Sequence, residues 1–213
     1  MSDDHSGDGH GDHSTDDRTR VQEFFGSRAA GWDAKFPDDG PTYAAAAAAL
    51  GLRPGDRVLD AGCGTGRALA PLRSAVGPTG AVLGIDLTPA MLDQAREKGR
   101  EARGALLLGD VARLPVRDAA LDAVFAAGLI AHLPEPARDL RELARVVRPG
   151  GVLALFHPIG RAALAARHGR ELGEDDLRAE PNLRPLLSRS GWLLTSYTDR
   201  DDRFLALAER VGG

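Results

Sequence analysis

The stretch Val58-Leu59-Asp60-Ala61-Gly62-Cys63-Gly64-Thr65-Gly66 sets a carboxylate and alternating glycines directly after a short apolar run. Such a run breaking into glycines reads as a buried strand that turns through a loop into a helix. Glycines let the backbone approach a ligand closely, and a helix start offers unpaired N–H donors. A dinucleotide fingerprint, G-x-G-x-x-G, needs a third glycine at position 67, where Arg67 stands; Gly66 takes that role instead, which weakens a pyrophosphate reading. Alone, the loop could be a bare structural bend.

Two more carboxylates follow in comparable settings. Gly84-Ile85-Asp86 ends a second apolar run, and an acid at the carboxyl edge of a sheet can accept from both hydroxyls of a ribose. Asp86 also precedes Pro89, so a helix-capping role is the alternative. Gly109-Asp110-Val111 follows a third run, where Asp110 can accept from an adenine amino group while the next backbone N–H meets a ring nitrogen. Three such features after three successive strands are more than a chance loop composition provides.

The elements that must hold these groups alternate regularly. Strands are expected at 57–61, 81–85, 105–108, 121–127 and 152–156, with helices at 65–76, 89–103 and 135–147. Helices at 21–32 and 42–50 precede them, and Pro149-Gly150-Gly151 makes a sharp turn into the fifth strand. A last helical region at 174–190, broken near Pro181 and Pro185, leads to a closing hairpin of 192–196 and 203–207. This β-α order predicts an α/β fold with a doubly wound, mostly parallel sheet.

Taken together, these features resemble class I S-adenosylmethionine-dependent methyltransferases, near the small-molecule group that includes the ubiquinone and menaquinone methyltransferases. The likeness covers roughly residues 20–210. It includes residues 143–151 (LARVVRPGG) as the helix-turn before strand five, and residues 24–33 (FFGSRAAGWD) as an N-terminal helix folding over the cofactor. It implies a Rossmann-like sheet of seven strands with a C-terminal antiparallel hairpin, and S-adenosylmethionine as cofactor. Asp60 with the backbone of Ala61, Gly62, Cys63 and Gly64 would face the methionine moiety and its ammonium. Asp86 would bind the ribose, Leu87 and Met91 would flank the adenine or simply pack the core, and Asp110 and Val111 would read the adenine edge. Ala127, ending strand four, would pass its carbonyl near the methionine. Cys63 is expected to fill space in the loop.

The implied reaction is methyl transfer to a small-molecule acceptor by in-line displacement. The sulfonium carries the difficult chemistry, so the protein must mainly align the partners, and some acceptors also need a base. His132, after strand four, and His157, after strand five, both fall at the carboxyl edge; His132 is preferred because the resembling family often has a histidine in the segment 129–134. Trp32, Phe36 and Tyr43 are candidates for the acceptor pocket or for packing. The rival functions are a cofactor-binding regulatory protein without turnover and, less favoured, a nicotinamide-dependent reductase.

Charge and composition narrow the field further. Residues 1–20 hold six aspartates against Arg18 and Arg20, whereas from Val21 onward 25 acidic and 25 basic residues cancel. A neutral body without a basic block argues against nucleic acid as partner, as does Ala127-Gly128-Leu129-Ile130 in place of an N/D-P-P-Y motif. Residues 1–18 are expected to form a disordered acidic tail in which His5, His10 and His13 could weakly hold a divalent metal; no metal site is assigned. The remainder, 19–213, is expected as one domain: a helical cap (19–50), a cofactor-binding core (51–156) and an acceptor-side region with the hairpin (157–213). No apolar run approaches the ~18 residues of a membrane span and the N-terminus lacks a secretory pattern, which suggests the cytoplasm. Cys63 is the only cysteine, and 25 arginines against 2 lysines suggest GC-rich, bacterial codon usage.

Overall fold

The computed structural model describes residues 12–35 and 39–212, with side chains from Arg18 onward. The apolar runs become β1 (Arg57–Ala61), β2 (Ala81–Asp86), β3 (Ala105–Leu108), β4 (Leu121–Ala127) and β5 (Val147–His157), followed by β6 (Trp192–Arg200) and β7 (Arg203–Arg210). Around them lie α1 (Asp12–Gly26), α2 (Gly40–Ala49), α3 (Leu69–Val76), α4 (Pro89–Glu97), α5 (Pro136–Val146), α6 (Arg161–Arg167) and α7 (Glu180–Ser188). All strands join one seven-stranded sheet in the order β3-β2-β1-β4-β5-β7-β6. The first five are parallel, and β7 runs antiparallel to both β5 and β6.

Strand periodicity builds two cores. Val58, Ala123, Phe125, Ala154 and Phe156 face α2 and α3, while their alternates Leu59, Val124, Ala126, Leu153 and Leu155 face α5 and α7. Burial on both faces is what makes these strands read as continuous apolar runs. In α5, Leu140, Leu143 and Ala144 recur at helical spacing and are buried. The fully buried Trp192 packs there and donates its indole N–H to the Leu140 carbonyl at 2.9 Å. From β1 the chain winds outward through β2 to β3, then returns to β4 and winds the other way to β5. The carboxyl ends of β1 and β4 therefore diverge, and a crevice opens between their loops.

Several boundaries differ from expectation. The first helix starts at Asp12, so residues 12–18, expected within the acidic tail, lie in α1; extending an existing helix costs little per residue even when the added residues are polar. Residues 1–11, with His5 and His10, lie outside the described residues, as do the His13 side chain and Phe36. The helix expected to reach residue 32 ends at Gly26, followed by two 3-10 turns at Ala29–Gly31 and Asp33–Lys35. The Pro149-Gly150-Gly151 turn is a bulge inside β5 and not its start, since the pairing jumps from Leu121↔Val147 to Ala123↔Val152. Helix α6 was not anticipated, and the region at 174–190 condenses to α7, with Pro181 in its first turn where no N–H is needed.

The alanines of α2 allow close approach to α3, and Ala46 and Ala47 are buried whereas Ala48 is exposed. Ala47→Leu should overpack this contact and cost about 1–3 kcal/mol. Ala48→Leu, on the open face of the same helix, should change stability little. Urea denaturation of the two variants checks this, and equal midpoints would show that the helices are not tightly packed.

Candidate active site

The loop after β1 needs unusual backbone at every second residue: Gly62, Gly64 and Gly66 have φ of 67°, 53° and 81°. A side chain is strained in that region, which explains the alternation. The loop is fastened from the neighbouring strand. Cys63 N–H donates to the Ile85 carbonyl at 2.9 Å, and Gly64 N–H donates to Asp86 Oδ2 at 2.8 Å. Asp86 Oδ1 accepts from the Thr88 N–H at 2.8 Å, so one carboxylate ties the glycine loop to the turn before α4. Asp86 does not cap α4, whose N-cap is Thr88. Burial raises its pKa, and the backbone N–H donors only partly offset this. Each oxygen keeps acceptor capacity beyond these bonds.

A cavity of about 850 Å³ opens at the carboxyl ends of the strands. Asp60, Asp86 and Asp110, at the ends of β1, β2 and β3, line one side of it. The Asp60 side chain is buried, and its Oδ2 has no hydrogen-bond partner among the described residues. Burial, and then the nearby Asp86 charge, push its pKa up to about 8. A buried acceptor at a cavity wall without a protein donor suits a ligand that brings one, above all a cationic donor. Asp110 Oδ1 accepts from Ala112 N–H at 2.9 Å, and Oδ2 pairs with Arg18 Nε at 2.5 Å. Gly62, Cys63, Gly64, Leu87, Met91, Val111, Ala127 and His132 also line the cavity. Ala61 does not: it is fully buried, because strand alternation turns its side chain into the core toward α5. Burial pushes the Cys63 thiol well up, so it stays protonated and fills space.

Helix α1 covers this wall through contacts the sequence did not reveal. Besides the Arg18 pair, Gln22 Nε2 donates to the Leu87 carbonyl at 2.8 Å. A second cluster secures the loop from the N-terminal side: Thr65 Oγ1 donates to Asp33 Oδ1 at 2.6 Å, and Arg100 bridges Asp33 Oδ2 and the Thr65 carbonyl, both at 2.7 Å. Burial alone would raise the Asp33 pKa, but Thr65 and the Arg100 guanidinium win and hold it below the usual range. Arg67, in the place of a third fingerprint glycine, pairs with Asp39 and lies over the Tyr43 ring.

The other side of the cavity carries the histidines. His132 ends a 3-10 turn after β4, and the Phe25 ring meets it edge-on at 4.9 Å. Its ring is accessible from the cavity yet closely surrounded, and the surrounding protein, then Arg178, lowers its pKa. His157 ends β5, with Nδ1 2.8 Å from the Ile159 carbonyl. Burial takes its pKa down to about 4, with Arg178 and His132 adding to the shift. Both imidazoles are therefore neutral at neutral pH, as a proton acceptor must be. Trp32 and Tyr43 also line the cavity.

Residues 59–155 match the profile of a methyltransferase domain. The likeness to that family covers just under half of the chain. Malonyl-[acyl-carrier protein] O-methyltransferase of Serratia marcescens is 41% identical over 121 residues, covering 57% of this chain and 43% of that protein. Demethylmenaquinone methyltransferase of Staphylococcus aureus is 38% identical over 105 residues, covering 49% and 44%. The matched regions span less than half the length of either relative. A SAM-dependent methyltransferase of Aquifex aeolicus superposes with a TM-score of 0.63 at 27% identity, over 77% of this chain and 87% of that one. The expected seven-stranded sheet with its antiparallel hairpin is thus found in a chain that superposes on a solved SAM-dependent methyltransferase.

In the matched region Asp86 serves the fold as well as the site. Asp86→Ala strands the Gly64 and Thr88 N–H groups and should cost about 1–3 kcal/mol of stability, read by urea denaturation. Unchanged stability would mean the loop is held without it. His157 has a folded pKa of about 4 against an ordinary 6.5, so the unfolded chain binds the extra proton between these values. Its contribution is thus intact above that window and is lost as pH falls through it, by up to about 1.4 kcal/mol per pH unit. His157→Gln should flatten the acid side of the stability–pH profile; a slope identical to the wild type would contradict the assignment.

Proposed function

We propose that the protein transfers the methyl group of S-adenosylmethionine to a small-molecule acceptor by in-line displacement. The observation that carries this reading is the row of Asp60, Asp86 and Asp110 along one cavity wall, with Asp60 Oδ2 lacking a hydrogen-bond partner among the described residues. The three match, in order, an ammonium, a ribose and an adenine amino group. Asp60 takes the ammonium, and the Gly62, Cys63 and Gly64 backbone with the Ala127 carbonyl borders the methionine chain. Asp86 spends its remaining lone pairs on the ribose hydroxyls. Leu87 and Met91 flank the adenine, while Asp110 and the Val111 N–H meet its edge. Ala61 contributes only to the strand that carries the loop.

When bound, the cofactor supplies a methyl group on a positively charged sulfur. The protein's task is to align the acceptor and exclude water, which in favourable systems contributes ~7–11 kcal/mol. Helix α1 and the Phe25 ring close the cavity over that wall. His132 accepts the acceptor's proton where one must leave, being neutral and open to the cavity. The cavity's 850 Å³ lies toward the upper end of the ~300–1,000 Å³ range of ligand pockets, which suits two molecules side by side. The balanced charge of the body favours an acceptor other than nucleic acid. A bacterial setting is supported by the arginine-rich composition and the bacterial relatives. Among the described residues no helix is long and apolar enough to cross a membrane.

Calorimetric titration with S-adenosylmethionine, S-adenosylhomocysteine and NADH tests the reading. The first two should compete for one site and NADH should bind much more weakly; preference for NADH would overturn it. A sharper test uses Asp60, whose pKa of about 8 stands above its ordinary 3.8. A raised carboxyl pKa means the folded state holds an extra proton, a contribution that is full below 3.8 and lost as pH rises toward 8. An ammonium favours the ionised form, so affinity for S-adenosylhomocysteine should rise with pH up to about 8, by at most tenfold per unit, with proton release. Asp60→Asn should bind more weakly, lose this pH dependence, and be more stable than the wild type at about pH 8. A pH-independent wild-type affinity would remove Asp60 from the ammonium site.

A further inference from the structure

The wall opposite the carboxylates is made by the segment after β5, and its charges are of one sign. Every ionisable side chain that lines the cavity from residues 157–178 is basic: His157, Arg167, His168, Arg170 and Arg178. Glu171, Glu174, Asp175 and Asp176, from the same segment, all stay off the cavity.

Arg178 is built in place. Asp176 accepts from its Nε at 3.1 Å and its Nη2 at 3.2 Å, and Tyr197 Oη donates to its backbone carbonyl at 2.8 Å. The same carboxylate takes Arg161 Nε at 3.0 Å, and Arg161 also reaches Asp199 at 3.3 Å. Asp176 is thus shared between two guanidiniums and neutralises neither alone. Arg178 Nη1 makes no hydrogen bond among the described residues. Its charge bears on both His132 and His157, which places it near both imidazoles. Arg170 lies on the exposed rim, with Nη2 3.3 Å from His168 Nδ1.

A guanidinium held from behind by a carboxylate, with donors left over and facing a cavity, matches the oxygens of a second carboxylate. We infer that the acceptor carries a carboxylate, which Arg178 and Arg170 bind beside the two histidines. The inference rests on the methyl-transfer reading and narrows its acceptor to small organic acids. The acid group then holds the molecule by one end while the rest lies between His132 and the cofactor wall.

The test uses the full chain saturated with S-adenosylhomocysteine, whose binding is first measured by calorimetry. Aromatic and aliphatic monocarboxylic acids are then compared with their primary amides by saturation-transfer NMR. Acids should bind about ten- to a hundredfold more tightly than the matched amides. Arg178→Gln should remove most of that preference, and so, to a lesser degree, should Arg170→Gln. Arg170 is exposed, so its variant remains informative if Arg178→Gln, which breaks the Asp176 network, does not fold. Amides binding as well as acids, acids binding equally to the wild type and both variants, or no acid binding at all would each overturn the inference while leaving methyl transfer standing. Failure of S-adenosylhomocysteine itself to bind would instead remove the methyl-transfer reading, and this inference with it.

Discussion

The Asp86 carboxylate joins two loops, the glycine loop after β1 and the turn before α4, beside the bond from the Cys63 N–H to the Ile85 carbonyl. The glycine loop after β1 is costly to order, since glycine loses the most conformational freedom of any residue on folding. It holds its shape because Asp86 takes the Gly64 N–H from one direction and the Thr88 N–H from the other. Asp33, Thr65 and Arg100 secure its far end. The same carboxylate is buried close enough to Asp60 to raise the pKa of that group, already driven up by its own burial. Two acids are thus held together where an apolar pair would make a more stable protein. A cationic or hydroxyl-bearing ligand relieves this arrangement, so part of the stability given up by holding the two acids together returns on binding.

The parts of the structure that follow from strand chemistry were legible in the residues. β1 and β4 match their expected limits because doubly buried strands read as apolar runs with abrupt ends, and the edge strand β3 matches because its Ala-Leu-Leu-Leu run is closed by glycine on both sides. The carboxylates were legible because each stands just where a run breaks. Ala61 shows the limit of reading by adjacency: it sits within the motif, but alternation along the strand sends it into the core. Arg18, Asp33, Arg100 and Arg178 were not legible as site residues. Arg100 lies 67 residues from Asp33 and 35 from Thr65, and nothing local in an arginine marks which loop it will meet. Helix α6 escaped for a related reason, having alanines and arginines but no buried side chain to set a periodic stripe.

Proline and glycine misled at the edges of elements. Pro149-Gly150-Gly151 reads as a turn, yet pairing continues on both sides of it and the three residues bulge out of a single strand. In α7, by contrast, Pro181 at the start fits the helix, and Pro185 gives up the N–H that would have reached back one turn. A breaker residue reports which backbone hydrogen bond is missing. Whether the element ends there depends on what the neighbouring chain offers in exchange.

The order of the strands also explains why the two sides of the cavity differ in charge. The anionic side comes from the ends of β1, β2 and β3, and the cationic side from the chain after β5, across the switch between β1 and β4. Opposite charges that close together in a compact domain would ordinarily pair and fill the space between them. Here each side is held from its own neighbourhood: Asp86 by backbone N–H groups, Asp110 by Arg18 of the covering helix, and Arg178, in part, by an Asp176 that it shares with Arg161. The crevice keeps the sets apart, and local partners remove most of the drive for collapse across it. What stays unsatisfied, Asp60 Oδ2 on one side and Arg178 Nη1 on the other, faces a volume that neither can cross. A cavity built this way distinguishes its two occupants by charge before shape is considered, because a cation stabilised beside Asp60 is repelled by the arginines opposite.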